Sequence, residues 1–197
     1  PISPPLEAII LDLRDNAGGL LSAAVETCDA FVAKGRIVST RGRDGSIRSN
    51  YSATPTTIVD AKVPIAVLVN GFSASASEIV AACMQDHGRA IVVGERTWGK
   101  GTVQNILELE GGRSALKLTT ASYWRPSGEN IHRRRDVGED EPWGVKPNRG
   151  YSVSLNDEEI RRVVWDREKR DLFPGLIEAN PEILNTLRER FESPDAP

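Results

Sequence analysis

Gly71-Phe72-Ser73-Ala74-Ser75-Ala76-Ser77-Glu78 opens the stretch that organises this chain, and Thr97-Trp98-Gly99-Lys100-Gly101-Thr102-Val103-Gln104 closes it. The apolar run from Val63 to Val69 before it reads as a buried strand. A turn of small residues then delivers serines to the start of an amphipathic helix, and a short strand, Ala90 to Gly94, leads to a lysine between two glycines. Lys100 lies 25 residues beyond Ser75. A serine hydroxyl is a poor nucleophile until a neighbouring base takes its proton, and a lysine can serve if burial lowers its pKa. Ser75 is the candidate nucleophile and Lys100 the candidate base. A helix N-terminus adds unsatisfied N–H groups and partial positive charge, suited to a developing oxyanion.

A plainer reading stands beside this one. Ser75-Ala76-Ser77-Glu78 also fits the capping box, in which the serine merely closes the helix start. A lysine is ordinarily a solvated surface residue. Against that, only six of the 25 basic residues are lysine, and this one sits in a Gly-Lys-Gly hinge that lets backbone approach closely.

Working outward, Leu6 to Leu13 is an almost continuous apolar run, expected as a strand buried on both faces. It ends in Asp15-Asn16-Ala17-Gly18-Gly19, a turn into a helix reaching about Ala33, with Leu20, Leu21, Ala24, Cys28 and Phe31 on its buried face. Ile37–Arg41 and Arg48–Ser52 bracket Gly42-Arg43-Asp44-Gly45 and predict a hairpin; Val103–Leu109 and Ser114–Trp124 predict a second around Glu110–Arg113. The helix from Ser75 ends at His87, expected as a capping or half-buried residue. The charges at Arg133-Arg134-Arg135 and Glu139-Asp140-Glu141 read as a solvated loop. From Asn156 an acidic first turn and an Ile160, Val163, Val164, Leu172 stripe predict a helix, with another from Pro181 to about Phe191 and a frayed end at 193–197.

Composition narrows the classes. With 197 residues, 39% hydrophobic and 27% charged, the chain can bury a core, and its strand–helix alternation predicts an α/β domain. A formal net charge of −3 gives no reason to expect a nucleic-acid partner. No run of eighteen apolar residues is present to span a membrane. Two cysteines and two histidines at no ligand spacing make a metal site improbable; Cys28 and Cys83 read as buried free thiols, with a disulfide left open.

Three blocks in order carry a family resemblance: Asp12-Leu13-Arg14-Asp15-Asn16-Ala17-Gly18-Gly19, Ser73 to Glu78, and Gly94 to Gln104. Together they resemble the carboxyl-terminal processing proteases, also called tail-specific proteases, over about Leu6 to Pro147. The resemblance implies a Clp protease/crotonase-like superhelical fold of β-β-α units, with a protease core over residues 1–150; the composition shift beyond it predicts a charged helical appendage over 151–197. The resemblance also implies a serine endopeptidase that cleaves protein chains near nonpolar C-terminal tails by a Ser75/Lys100 dyad, needing no cofactor. Gln104 matches a glutamine that orients the lysine, and Asp86 an aspartate with a supporting role. Backbone N–H groups of Ala76 and of Gly18 or Gly19 match the oxyanion hole, so one serine can both cap and attack. Departures are Ala17 for proline, Trp98 for phenylalanine or tyrosine, the long 133–142 loop, and Asn148 for aspartate. Family members usually act outside the cytoplasm and carry a PDZ domain. Beginning at Pro1-Ile2-Ser3-Pro4-Pro5 just before a strand, the chain reads as a piece of such a protein. A crotonase-like acyl-thioester enzyme and a non-catalytic binding module remain alternatives; oligomeric state stays undetermined.

Overall fold

The computed structural model describes residues 6–138, 140–171 and Glu182, with backbone alone for 168–171. The chain divides into two compact units between Val153 and Ser154. The first holds two sheets. β1 (Ile9–Asp12), β4 (Ile65–Val69) and β5 (Ile91–Gly94) form a parallel sheet in the order β1-β4-β5. β2 (Arg36–Arg41), β3 (Ile47–Ser52), β6 (Thr102–Leu109) and β7 (Ser114–Trp124) form an antiparallel sheet in the order β3-β2-β7-β6. Both hairpins expected from their turn residues are present, β2–β3 and β6–β7.

Helices α1 (Leu21–Phe31) and α2 (Ala76–Asp86) share one core with the parallel sheet. Ile65, Val67 and Val69 of β4 and Val92 of β5 pack there with Ala24 and Cys28 of α1 and with Ile79, Val80, Cys83 and Met84 of α2. The small residues Ala81 and Ala82, fully buried, permit the close approach of backbone that this layer needs. Cys28 and Cys83 are free and buried; the hydrogen bond to Cys83 and then burial push the Cys28 thiol far up.

The other face of the parallel sheet departs from expectation. β1 is not buried on both faces: it is an edge strand, and Ile10 is 70% exposed. Ile10 pairs with Ala66 and Ala66 with Ile91, so one row of small and apolar side chains lies outside the helical layer. Leu20 departs as well. It is the residue ahead of α1, 74% exposed, not part of that helix's buried face.

β5 has its outer edge closed by the chain after Pro147. Asn148 N–H donates to Val92 O at 2.9 Å, and Asn148 Oδ1 accepts Val92 N–H at 2.8 Å and Gln85 Nε2 at 3.0 Å. Only an acceptor oxygen is required of residue 148, so asparagine serves as aspartate would. Ser152 then bridges Gly94 in parallel register.

The second unit contains α3 (Asp157–Asp171), whose start is a reciprocal cap: Asn156 N–H donates to Glu159 Oε2 at 2.9 Å and Glu159 N–H to Asn156 Oδ1 at 3.0 Å. The helix expected after Pro181, the contribution of Leu172 and the frayed end lie outside the described residues. Among the described residues no helix is long and apolar enough to cross a membrane.

Candidate active site

β4 ends at Val69, and the turn that follows is tied to the turn after β1. Asp15 N–H donates to Asn70 Oδ1 at 2.9 Å, Asn70 Nδ2 to Asp15 Oδ1 at 2.7 Å, and Ala74 N–H to Asn16 O at 3.0 Å. Parallel pairing of β1 with β4 puts both turns at the carboxyl ends of their strands, where open α/β sheets commonly bind ligands.

The three serines of this turn have separate fates. Ser73 is fully buried, its hydroxyl donating to Leu13 O at 2.7 Å and accepting Asn70 N–H at 2.9 Å. Ser77 is buried within α2. Ser75 alone is half-exposed and has a positive φ, 60° with ψ −116°. For a residue with a Cβ that backbone is strained, a state held only where the surroundings over-determine it. Ser75 and Glu78 form the expected capping box at the start of α2.

Glu78 does far more than cap. It is 0% exposed, and its two oxygens accept four hydrogen bonds. Oε2 takes Ser75 N–H and Lys100 N–H, each at 2.8 Å; Oε1 takes Thr97 Oγ1–H at 2.6 Å and Gly99 N–H at 2.7 Å. The Ser75 and Lys100 backbone nitrogens, sharing one oxygen, therefore lie within twice 2.8 Å of each other. Burial raises the Glu78 carboxyl above its ordinary range, against the four hydrogen bonds that favour its charge. Residue reading saw this glutamate only as half of a capping box. Its second set of partners lies 19 to 22 residues away, beyond what local spacing can reveal.

The Lys100 loop is braced from behind. Arg133 N–H donates to Gly99 O at 2.9 Å, Thr97 N–H to Val145 O at 3.1 Å, and Trp98 N–H to Ser73 O at 3.0 Å. Arg96 Cζ stands 3.4 Å and Arg133 Cζ 4.3 Å from the centre of the buried Trp143 ring. Arg96 Nε also donates to Trp143 O at 3.1 Å. The loop expected to be merely solvated thus contributes a packed arginine–tryptophan stack. Gly101 is required here, since a Cβ would fall 2.3 Å from His132 N.

The backbone groups named for an oxyanion hole gather at Ser75. Gly18 (φ +91°) passes so close that a Cβ there would lie 2.5 Å from Ala74 O and 2.7 Å from Ala76 N. Gly18 N–H is occupied by Asn16 Oδ1 at 2.9 Å. Gly19 N–H and Ala76 N–H have no acceptor among the described residues. Beside them is a cavity of about 260 Å³ lined by Leu11, Leu13, Leu20, Ala24, Val80 and the two glycines, among others.

Other expected members stand apart. Lys100 has an exposed side chain, and among the described residues no hydrogen bond joins Ser75 Oγ to Lys100 Nζ. Gln104, on β6, gives its Nε2 to Thr119 Oγ1 at 2.7 Å rather than to Lys100. Asp86 is the last residue of α2, at the end opposite Ser75, where its carboxylate takes Arg125 Nε and Ser127 N–H, each at 3.0 Å. Both Asp86 and Arg125 have nearly buried side chains. His87 closes α2, half-buried, its Nε2 2.7 Å from Arg36 O.

Known proteins are similar to this chain in sequence and in fold. A carboxy-terminal-processing protease of Bartonella bacilliformis is 45% identical over 193 residues, 95% of this chain and 44% of that protein. A carboxyl-terminal-processing protease of Picosynechococcus sp. is 44% identical over 124 residues, 63% of this chain and 29% of that one. The solved structure of a photosystem II D1 C-terminal processing protease superposes with a TM-score of 0.66 at 36% identity, covering 75% of this chain and 35% of that one. The chain spans less than half the length of these relatives. Residues 3–149 match peptidase family S41, and the chain belongs to that family.

Proposed function

We propose that this chain is the catalytic core of a serine endopeptidase that cleaves protein chains near nonpolar C-terminal tails. Ser75 Oγ attacks the scissile carbonyl while Lys100 Nζ takes its proton. The resulting oxyanion sits on the N–H groups of Ala76 and Gly19, the two that are unspent. Lys100 returns the proton to the departing amine; water then repeats the sequence on the acyl-enzyme. Gln104 steadies Lys100 by turning away from Thr119, and Asp86 contributes by anchoring the far end of α2. An extracytoplasmic location belongs to the same reading.

One observation carries most of this proposal: a single buried Glu78 oxygen holds the backbone of both the strained serine and the lysine. A sharp, strained strand-to-helix turn that exposes a hydroxyl is how other hydrolase folds present a nucleophile. The cavity beside Ala76, walled mainly by leucine, alanine and valine, supports a nonpolar substrate side chain.

A fluorophosphonate probe tests the nucleophile. The wild-type chain becomes labelled, Ser75→Ala does not, and Ser75→Ala loses only about 1 kcal/mol of stability, the scale of a lost cap. Lys100→Arg is also unlabelled, because guanidinium stays protonated. Equal labelling of Ser75→Ala would remove Ser75 from the mechanism. A wild-type chain that resists labelling yet binds nonpolar peptides would make it a binding module.

A further inference from the structure

We propose that the free edge of β6 is the substrate track: an extended, nonpolar segment of the polypeptide to be cut adds to it as a further strand. This rests on the peptidase reading above and deepens it. β6 is the outermost strand of its sheet. Beyond its pairing with β7, no backbone N–H or C=O of residues 102–109 has a partner among the described residues. A long, exposed, apolar edge of this kind is a template for another strand.

Its position makes the proposal specific. β6 starts at Thr102, two residues past Lys100, whose N–H shares the Glu78 oxygen with Ser75. A strand laid along this edge runs directly toward the candidate nucleophile. The register shift between Val103 and Gln104, next to that start, bends the edge where the two would meet.

Side chains identify the occupant. The pairs Asn105–Leu118, Leu107–Leu116 and Leu109–Ser114 share one face of the hairpin, which places four leucines there, each 45 to 47% exposed. Ile106 is exposed on the opposite face, and Glu108 is the one ionisable residue in β6. Phe72 and Trp98, both more than half exposed, belong to the turns that hold Ser75 and Lys100. An exposed apolar face on the strand that leaves the Lys100 loop suits a nonpolar chain and rejects a charged one.

The test uses the 197-residue chain carrying Ser75→Ala, which cannot consume its ligand. A fluorescent nonpolar peptide is bound, and its backbone is N-methylated one residue at a time. Strand addition predicts an alternating result. Methylation at every second residue weakens binding by roughly tenfold or more, and the residues between tolerate it, because only alternate N–H groups face the partner strand. Leu107→Glu and Leu116→Glu each weaken the unmethylated peptide by about tenfold. Equal tolerance at all positions, or a uniform loss without alternation, overturns the proposal. So does unchanged peptide binding by Leu107→Glu when the same variant converts a dimer to a monomer in gel filtration, which would assign the hairpin to a second copy. Fluorophosphonate labelling of Ser75 in the wild-type chain is unaffected by any of these outcomes, so the peptidase reading stands or falls separately.

Discussion

Ser75 and Gly18 meet across two turns, and each restricts the other. Gly18 has both a positive φ and backbone on its open side, so Gly18→Ala must strain the turn and push against Ala76 N. It is expected to cost about 1–3 kcal/mol and, if the Ala76 N–H binds the oxyanion as proposed, to lower turnover more than a hundredfold by blocking it. Gly19→Ala has no heavy atom within 4 Å of its new methyl and is expected to keep near-normal stability in urea denaturation. The comparison separates a packing requirement from a general intolerance of the turn. Glu78 offers a second test. Glu78→Gln leaves one acceptor oxygen for donors that used two, at about 1–3 kcal/mol for each buried N–H left unsatisfied. The pH dependence has a definite sign. Burial raises the folded-state pKa of Glu78, so ionisation costs folding free energy: its contribution is fully favourable below the unfolded pKa and is lost as pH rises through the folded value. Relative to Glu78→Gln, wild-type stability should therefore fall as pH rises from the ordinary glutamate range through the raised value. Parallel urea curves across that window would exclude a buried ionising Glu78.

At the scale of elements, α2 links two charged clusters. Its first turn carries Glu78, held by the serine and lysine loops, and its last residue, Asp86, carries Arg125. The supporting role proposed for Asp86 would act through the helix, because Asp86 lies at the end opposite Ser75. Eleven residues of helix separate the two ends, roughly 16 Å at 1.5 Å per residue. Arg125→Ala leaves Asp86 nearly buried without its cation and is expected to destabilise by about 3–5 kcal/mol. Below its lowered melting temperature the variant should still be labelled by fluorophosphonate. Loss of labelling in a fully folded Arg125→Ala chain would show that the pair reaches the site directly. The Arg96–Trp143–Arg133 stack is a second brace, set against the glycine ahead of Lys100. Trp143→Ala should lower kcat more than it raises KM, while Trp143→Phe retains the stacking and most of the rate; equal loss in both would point to the indole N–H, which donates to Gly138 O at 3.1 Å.

For the molecule as a whole, Ser75 and Lys100 share a backbone anchor while their side chains are not hydrogen-bonded to each other. A displacement of about 1 Å in a catalytic pair costs on the order of a hundredfold in rate. The curated relatives are more than twice as long as the stretch they share with this chain. Turnover of a protein with a nonpolar tail by these 197 residues is accordingly expected to be at least about a hundredfold slower than by a full-length relative. Equal rates, measured side by side, would show that residues 1–197 hold everything the chemistry needs.

Local order was legible wherever neighbours in sequence are neighbours in space. The hairpins follow from turn residues between alternating strands, the start of α2 from Ser75 and Glu78 three apart, and the start of α3 from Asn156 and its acidic turn. The order of three motif blocks carried the family. The tertiary structure alone decided what crosses between segments. Hydrogen bonds between the 15–18 and 70–74 turns bury Ser73 and leave Ser75 half-exposed, and Asn16 Oδ1 takes the Gly18 N–H while that of Gly19 has no acceptor among the described residues. Strand order exposes Ile10 on an edge, although its apolar run reads as buried, because composition records hydrophobicity and not which neighbour arrives to cover it. Glu78 is the clearest case. Three residues of spacing reveal a cap, but the carboxylate's other partners arrive through β5 and the loop that follows, and only folding brings them within reach.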